Sequence, residues 1–191
     1  MNTNYCDIFK ENETIITKRL TLRKFTLDDA QSVYEYGSDE ESLKYIAWNG
    51  VKTIDEAKEN IMNHYWLKPE VYAIELSEIK KCIGCVALRV DESNPEKARF
   101  AIIINRSFWG KGYMTETIRK INEFGFSKLG LRKIESGHYI GNEGSGKSMQ
   151  RCGMEEVCIS KRECKEKGKF LDFVNYEITK EKWLQQQANM L

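Results

Sequence analysis

The segment Phe108-Trp109-Gly110-Lys111-Gly112-Tyr113-Met114-Thr115-Glu116 joins an apolar, strand-like stretch to a strongly amphipathic one. A helix that starts there leaves the amides of its first turn unpaired, and its dipole favours an anion. Glycines at 110 and 112 let the backbone approach such an anion closely and adopt positive φ, and Lys111 adds charge at the mouth. A bare Gly-x-Gly is equally a tight strand-to-helix turn. A second segment, Gly141-Asn-Glu-Gly-Ser-Gly146-Lys147-Ser148, satisfies the phosphate-cradling pattern G-x-x-x-x-G-K-S in full. Its context is poor: a P-loop needs a substantial parallel sheet around it, whereas two strands and a closing helix follow, and Gly153 interrupts the helix that should run on from the lysine.

Other reactive residues form no constellation. Cys82-Ile-Gly-Cys85 is a lone C-x-x-C with no second pair at matching spacing, and in a regular strand its thiols point to opposite faces. Of the two histidines, His138 is expected in the core and His64 on a helix surface. No metal site is expected. The mixed-charge stretch of Lys161-Arg162 and Lys165 to Lys169 reads as a solvated hairpin.

The elements that must position these residues follow from periodicity. Arg19 to Phe25 alternates as a half-buried strand. Thr26 offers an N-cap to a helix from Leu27 to Tyr36, with Asp28 and Asp29 in its first turn. A less regular stretch holds Tyr45, Ile46 and Trp48. Thr53 or Asp55 starts a helix with Ile54, Ala57, Ile61 and Tyr65 on one side. Val71 to Leu76, Lys81 to Val90 and Lys97 to Ile104 predict three strands in an antiparallel meander. Ile118, Ile121, Phe124 and Phe126 mark the long helix, which Gly130 ends. Strand Lys133–Ile140, a short helix around Lys147 to Arg151, strands Met154–Arg162 and Phe170–Thr179, and a helix from Lys180 to Gln187 complete the chain. The expectation is one α+β domain over 13–191 with a mostly antiparallel sheet flanked by helices, preceded by a polar arm over 1–12.

Bulk composition agrees. The 191 residues are 41 % apolar and 31 % charged, enough for one core and too few for two ordinary domains. A net charge of +1 disfavours a broad nucleic-acid surface. No apolar run reaches membrane-spanning length, and the six cysteines lack framework spacing, which suits reduced thiols in a cytoplasm.

The ordered set of segments resembles the GNAT (Gcn5-related N-acetyltransferase) superfamily, in particular the branch that acetylates ribosomal-protein N-termini. The loop at Trp109 to Glu116 is similar to that family's coenzyme A signature. Arg19-Leu-Thr-Leu-Arg with Leu27-Asp28-Asp29-Ala30 resembles its opening strand and helix, and Ile83-Gly84 its third strand. Phe124-Gly-Phe-Ser-Lys-Leu-Gly-Leu-Arg-Lys-Ile134 resembles its central helix and next strand. Asn142-x-x-Ser145 with Gly153-Met154 resembles its second coenzyme contact region, and Asp172 with Glu181-Lys182-Trp183 its exit. The chain departs from the pattern at Met114, where the family prefers Gly or Ala, at Arg99, where the branch commonly carries Glu, and at Ala101, usually Gly.

The resemblance implies an acetyl-CoA-dependent N-acetyltransferase, direct transfer to an amine, and a sheet splayed at the coenzyme site. It places the pyrophosphate on Trp109, Gly110, Lys111, Gly112, Tyr113, Met114 and Thr115, and oxyanion donors in the strand ending Ile102-Ile103-Ile104. It gives Asn142 the pantetheine amides, Ser145 the thiolate and Lys147 a phosphate or the adenine end. Ser145 is equally read as an N-cap, and Glu116 as base or organiser or simply as a carboxylate answering the dipole. The region Tyr45 to Trp48, Tyr65, Trp66 and Phe170 to Asp172 is expected at the acceptor entrance, or in the core. The acceptor is a protein N-terminus or small-molecule amine, and the expected state is a monomer or homodimer. A non-catalytic coenzyme A-binding domain is the alternative.

Overall fold

Strand pairing in the computed structural model, which describes residues 5–164 and 168–189, builds one sheet in the order β1-β2-β3-β4-β5-β6-β8-β7. By internal contacts the chain forms two compact units, Met1–Ala87 with Ala101–Tyr113 and Leu88–Phe100 with Met114–Leu191. The tip of the expected basic turn, at 165–167, lies outside the described residues, as do the first four residues of the expected arm.

In the first unit, Tyr5–Glu11 is a helix (α1) whose Phe9 is buried near Tyr72. Residues 5–11 of the expected polar arm are therefore helical, and the Tyr72 hydroxyl donates to Asn12 O at 2.9 Å. Strands Ile15–Ile16 (β1) and Leu20–Arg23 (β2) pair antiparallel, with Leu20 and Leu22 fully buried and Thr21 and Arg23 half-buried, as period-2 alternation requires. Thr26 and Asp29 cap one another, but the turn they open, Leu27–Asp29, is 3-10, and the α-helix (α2) runs over Ala30–Gly37. A one-turn helix, Glu40–Leu43 (α3), capped by Asp39, was not expected. Thr53 caps Ile54–Asn60 (α4), which continues as a π turn over Ile61–Tyr65.

Val71–Leu76 (β3), Lys81–Val90 (β4) and Lys97–Ile104 (β5) have the predicted bounds. One expectation fails in β4. Its register passes from Glu75↔Cys82 to Ile74↔Gly84, so Ile83 is an extra residue. That bulge turns Cys82 and Cys85 into the same apolar core, rather than to opposite faces. Burial pushes the Cys82 thiol up to about 12, so it stays protonated at neutral pH. The neighbouring Gly84 is where β4 meets the end of β5: a Cβ there would stand 2.2 Å from Ile103 O.

The helix Tyr113–Ser127 (α5) belongs to the second unit from Met114 onward, and its Ile118, Ile121, Phe124 and Phe126 are buried. Helical structure stops before Gly130, which occupies a following turn at φ +69°. Lys133–Tyr139 (β6), Glu143–Gln150 (α6), Glu155–Cys164 (β7), Lys169–Thr179 (β8) and Lys180–Ala188 (α7) follow. β8 pairs antiparallel with both β6 and β7, while β6 runs parallel to β5. That parallel ladder covers Lys97↔Lys133 to Arg99↔Glu135 and no further, although β5 continues to Ile104 and β6 to Tyr139. Beyond it the Ser136 hydroxyl donates to Phe100 O at 2.9 Å.

Candidate active site

Around the glycine loop, specific hydrogen bonds anchor the backbone in the first unit. Asn105 starts it: its Oδ1 accepts from Ser107 N at 3.0 Å, holding a 3-10 turn over Arg106–Phe108, and its Nδ2 donates to Glu35 at 3.1 Å. Trp109 keeps its ring half-exposed while its indole N–H donates to Ile104 O at 2.6 Å, which ties the loop to the end of β5. Of the three β5 residues expected to offer oxyanion donors, Ile104 is buried and Ile102 and Ile103 are half-buried.

Gly110 and Gly112 adopt φ of +73° and +80°, the left-handed conformations their positions were expected to need. Nothing lies within 4 Å of a Cβ built at Gly110, so the backbone there is open to an incoming group. Arg19 Nη1 donates to Lys111 O at 2.9 Å, and its guanidinium lies 4.5 Å from the Tyr113 ring centroid. Lys111 itself is exposed, with Nζ donating to Ser107 O at 3.2 Å. Tyr113 opens α5, so the glycines lead directly into the first turn of a helix, the end at which its dipole favours an anion. These features fit a phosphate: an open glycine backbone, a helix start and one exposed ammonium.

In the second unit, Asn142 is the N-cap of α6, its Oδ1 accepting from Ser145 N at 3.4 Å. This corrects two expectations. The helix starts at Glu143 rather than around Lys147, and Ser145 is not its cap but its third residue. Among the described residues the Ser145 hydroxyl makes no hydrogen bond, and the residue is half-buried. Lys147 is exposed, while Ser148 turns its hydroxyl back onto Gly144 O at 2.9 Å. The Walker-like segment thus opens a helix of eight residues, and β5–β6 is the one parallel ladder registered among the described strands. The parallel sheet that a P-loop requires is not found among the described residues. Thr115 O accepts from the buried Cys152 thiol at 3.3 Å, and Glu116 stands in the first turn of α5.

The aromatics expected at the acceptor entrance divide. Trp48 and Tyr65 pack into the first unit's core, whereas Trp66 and Phe170 are exposed. Asp172 pairs with Lys161 at 2.8 Å. His138 is buried and stacked on Tyr176, and His64 is exposed, both as expected. Sequence reasoning missed Arg19 and Asn105 as supports of the loop. Arg19 was visible as the head of a strand, but its contact with Lys111 spans 92 positions, and no local pattern signals it.

Glu135 collects three cations, Lys97 Nζ at 3.1 Å, Arg99 Nη2 at 3.1 Å and Lys133 Nζ at 3.3 Å. Burial alone raises its carboxyl, but the hydrogen bond and charge of Lys97, then Lys133 and Arg99, outweigh it and hold it below the usual range. Its contribution to stability is therefore complete above the unfolded value of about 4.3 and is lost as pH falls through the lower folded value. Urea unfolding measured from pH 5 to pH 3 should show stability falling, and part of that slope should be missing in Glu135→Gln.

Among the described residues no group of three or more His, Cys, Asp or Glu side chains is placed to hold a metal, and no helix is long and apolar enough to cross a membrane.

Known proteins match this fold and these segments. The model of the acetyltransferase (GNAT) domain family matches residues 19–155. The p20 protein of Bacillus licheniformis, described as an uncharacterized N-acetyltransferase, is 27 % identical over 175 residues, covering 90 % of this chain and 98 % of that protein. YnaD of Bacillus subtilis, described in the same way, is 31 % identical over 170 residues, covering 88 % and 98 %. An acetyltransferase (GNAT family) structure from Bacillus anthracis superposes with a TM-score of 0.78 at 23 % identity, covering 88 % of this chain and 99 % of that one. The chain belongs to the GNAT acetyltransferase family. It is an N-acetyltransferase, and acetyl-CoA is its acetyl donor.

Proposed function

We propose that this enzyme moves the acetyl group directly from acetyl-CoA to a primary amine, either a protein N-terminus or a small molecule. The observation that carries the proposal is the pair of positive-φ glycines, open at Gly110, at the start of the long helix α5. In this reading the pyrophosphate lies on the amides of Trp109 to Thr115, including Gly110, Gly112, Tyr113 and Met114, with Lys111 neutralising charge. Asn142 holds the pantetheine amides, and Lys147 meets the 3′-phosphate or adenine end.

The chemistry asks for little acid–base help. An α-amine has an ordinary pKa of about 7.7–8.0, so part of it is neutral near pH 7, whereas a lysine near 10.4 needs assistance. The neutral amine attacks the thioester carbon, the C–S bond breaks, the nitrogen loses a proton to water or a carboxylate, and the thiolate is stabilised or protonated. Amides of Ile102, Ile103 and Ile104 serve as oxyanion donors; the end of the β5–β6 ladder at Arg99↔Glu135 supports their availability. The Ser145 hydroxyl, unengaged among the described residues, serves the thiolate. Glu116 is the candidate base or organiser, and answers the α5 dipole in either case.

Resemblance of the motifs to the branch acting on ribosomal-protein N-termini makes a protein N-terminus the first acceptor to try. A cytoplasmic enzyme, monomeric or homodimeric, is proposed with it. A non-catalytic coenzyme A-binding role is the second reading, motivated by Arg99.

Thiol release from acetyl-CoA against a panel of amines, amino acids and N-terminal peptides separates the two. Ser145→Ala should lower kcat at least tenfold while the acetyl-CoA KM changes far less. An unchanged kcat removes Ser145 from the mechanism. ATP binding that is lost in Lys147→Ala, together with no coenzyme A binding, would overturn the whole assignment.

A further inference from the structure

We propose that Arg99 and Arg162 form an oxyanion-binding site that receives a carboxylate or phosphate group carried by the amine acceptor. The site belongs to the second unit. That the anion is part of the acceptor rests on the transfer reading above, in which β5 holds the thioester from Ile102 onward, three residues beyond Arg99.

Three observations carry it. Arg99 spends one arm of its guanidinium on Glu135, Nη2 to Oε2 at 3.1 Å. The other arm, Nη1, is buried and has no acceptor among the described residues. A charged donor taken out of water without a partner is costly, and proteins rarely leave one so. Glu135 cannot complete it, because Lys97 and Lys133 already share that carboxylate.

Next, Arg162 on β7 is held in place rather than left to solvent. Its guanidinium lies 4.1 Å from the Phe173 ring centroid. The ring lies over Gly137 of β6, where an added Cβ would come 2.3 Å from Phe173 Cε1. A residue without a side chain there lets the ring lie down and carry the arginine. Glu135, which holds Arg99, and Gly137, which the Phe173 ring covers, lie two residues apart on one face of β6, so the two guanidiniums are neighbours there; burial first, and then the charge of Arg99, lower the Arg162 pKa.

The charges also fail to balance. Among the described residues, Lys97, Arg99, Lys133 and Arg162 are set against Asp91, Glu135 and Glu177, one cation more than the carboxylates they meet. Two neighbouring guanidiniums with an unused N–H suit a planar carboxylate or a phosphate, which each can grip in a forked manner. A neutral or cationic group at this place would leave Nη1 unpaired and add to the repulsion.

The test uses matched acceptors with coenzyme A present at saturation: β-alanine against β-alaninamide, and O-phosphoethanolamine against ethanolamine. Binding is read by calorimetry and transfer by thiol release. The anionic member of at least one pair should bind about tenfold more tightly or better than its neutral partner. Preference for β-alanine assigns the site to a carboxylate, and preference for O-phosphoethanolamine to a phosphate. Arg99→Gln and Arg162→Gln should each erase the preference. Arg99→Lys should weaken it severalfold while keeping the unfolding midpoint, because it retains the charge beside Glu135 but not the fork. Equal binding of anionic and neutral amines by the wild-type protein overturns the proposal, as does a preference that survives Arg99→Gln. If the anion preference appears but no amine is acetylated, the transfer reading fails and the anion site stands.

Discussion

Gly112→Val should bind acetyl-CoA at least a hundredfold more weakly than the wild-type protein while unfolding at nearly the same temperature. Gly112 holds φ at +80°, a conformation that costs a β-branched residue more than the ~1–2 kcal/mol charged to an ordinary L-residue. Space is not the obstacle, since the nearest atom to an added Cβ is Arg19 Nη2 at 3.5 Å. The loop would relieve its strain by rotating the peptides on either side, which swings the amides of 112 and 113 away from a bound phosphate. Each charge-assisted hydrogen bond lost is worth about 1.5–3 kcal/mol, so two lost bonds amount to a factor of a hundred or more. Met114→Ala is the companion control, expected to bind no more weakly, because that side chain contributes nothing the phosphate needs. Calorimetric titration with acetyl-CoA, paired with a thermal melt, checks both. Unimpaired binding by Gly112→Val would place the coenzyme elsewhere.

The largest loss of stability is expected from Arg23→Met, about 3–5 kcal/mol. Arg23 grips Asp29 with both arms, at 2.7 and 2.8 Å, while its Nε donates to Glu75 at 2.7 Å and Nη1 also reaches Lys24 O at 3.0 Å. Asp29 and Glu75 are both buried. One side chain therefore fastens β2, the turn before α2, and β3. Methionine keeps the apolar stem but strands the carboxylates, and Lys80, at 3.7 Å from Glu75 and largely exposed, replaces little of the charge. Such a loss is a large share of the 5–15 kcal/mol typical of a folded protein. Urea unfolding of Arg23→Met, Asp29→Asn and the double variant gives the coupling. The double variant should lose less than the two singles added, because Asn removes the carboxylate that Met abandons. A single-variant loss below about 1 kcal/mol would mean that the pair is hydrated, like an exposed ion pair.

Local pattern made some of this legible and not the rest. The bounds of β3, β4 and β5 are legible because their apolar runs end in turn residues, and α5 is legible as an element because four buried residues recur near helical spacing, although it stops at Ser127 rather than at Gly130. The faces of Cys82 and Cys85 were not legible, since they depend on the extra residue Ile83, which exists only relative to β3. The parallel pairing of β5 with β6 depends on the crossover through α5 and on the register at Lys97↔Lys133, both non-local. The first turn of α6 is not legible because Gly144 and Gly146 weaken its helical signal, while the Asn142 cap that starts it lies before them. For the loop, the glycines and the helix start were readable. Arg19 and Asn105, which hold it, act through partners 92 and 70 positions away.

Amide hydrogen exchange with and without coenzyme A tests the central claim most directly, because it reads the backbone groups themselves. Protection should appear over Trp109 to Thr115, with a second protected stretch around Asn142 to Lys147, and ATP should produce neither. Exchange unchanged at Trp109 to Thr115 under saturating coenzyme A would contradict the account, as would ATP-dependent protection confined to Gly141 to Ser148.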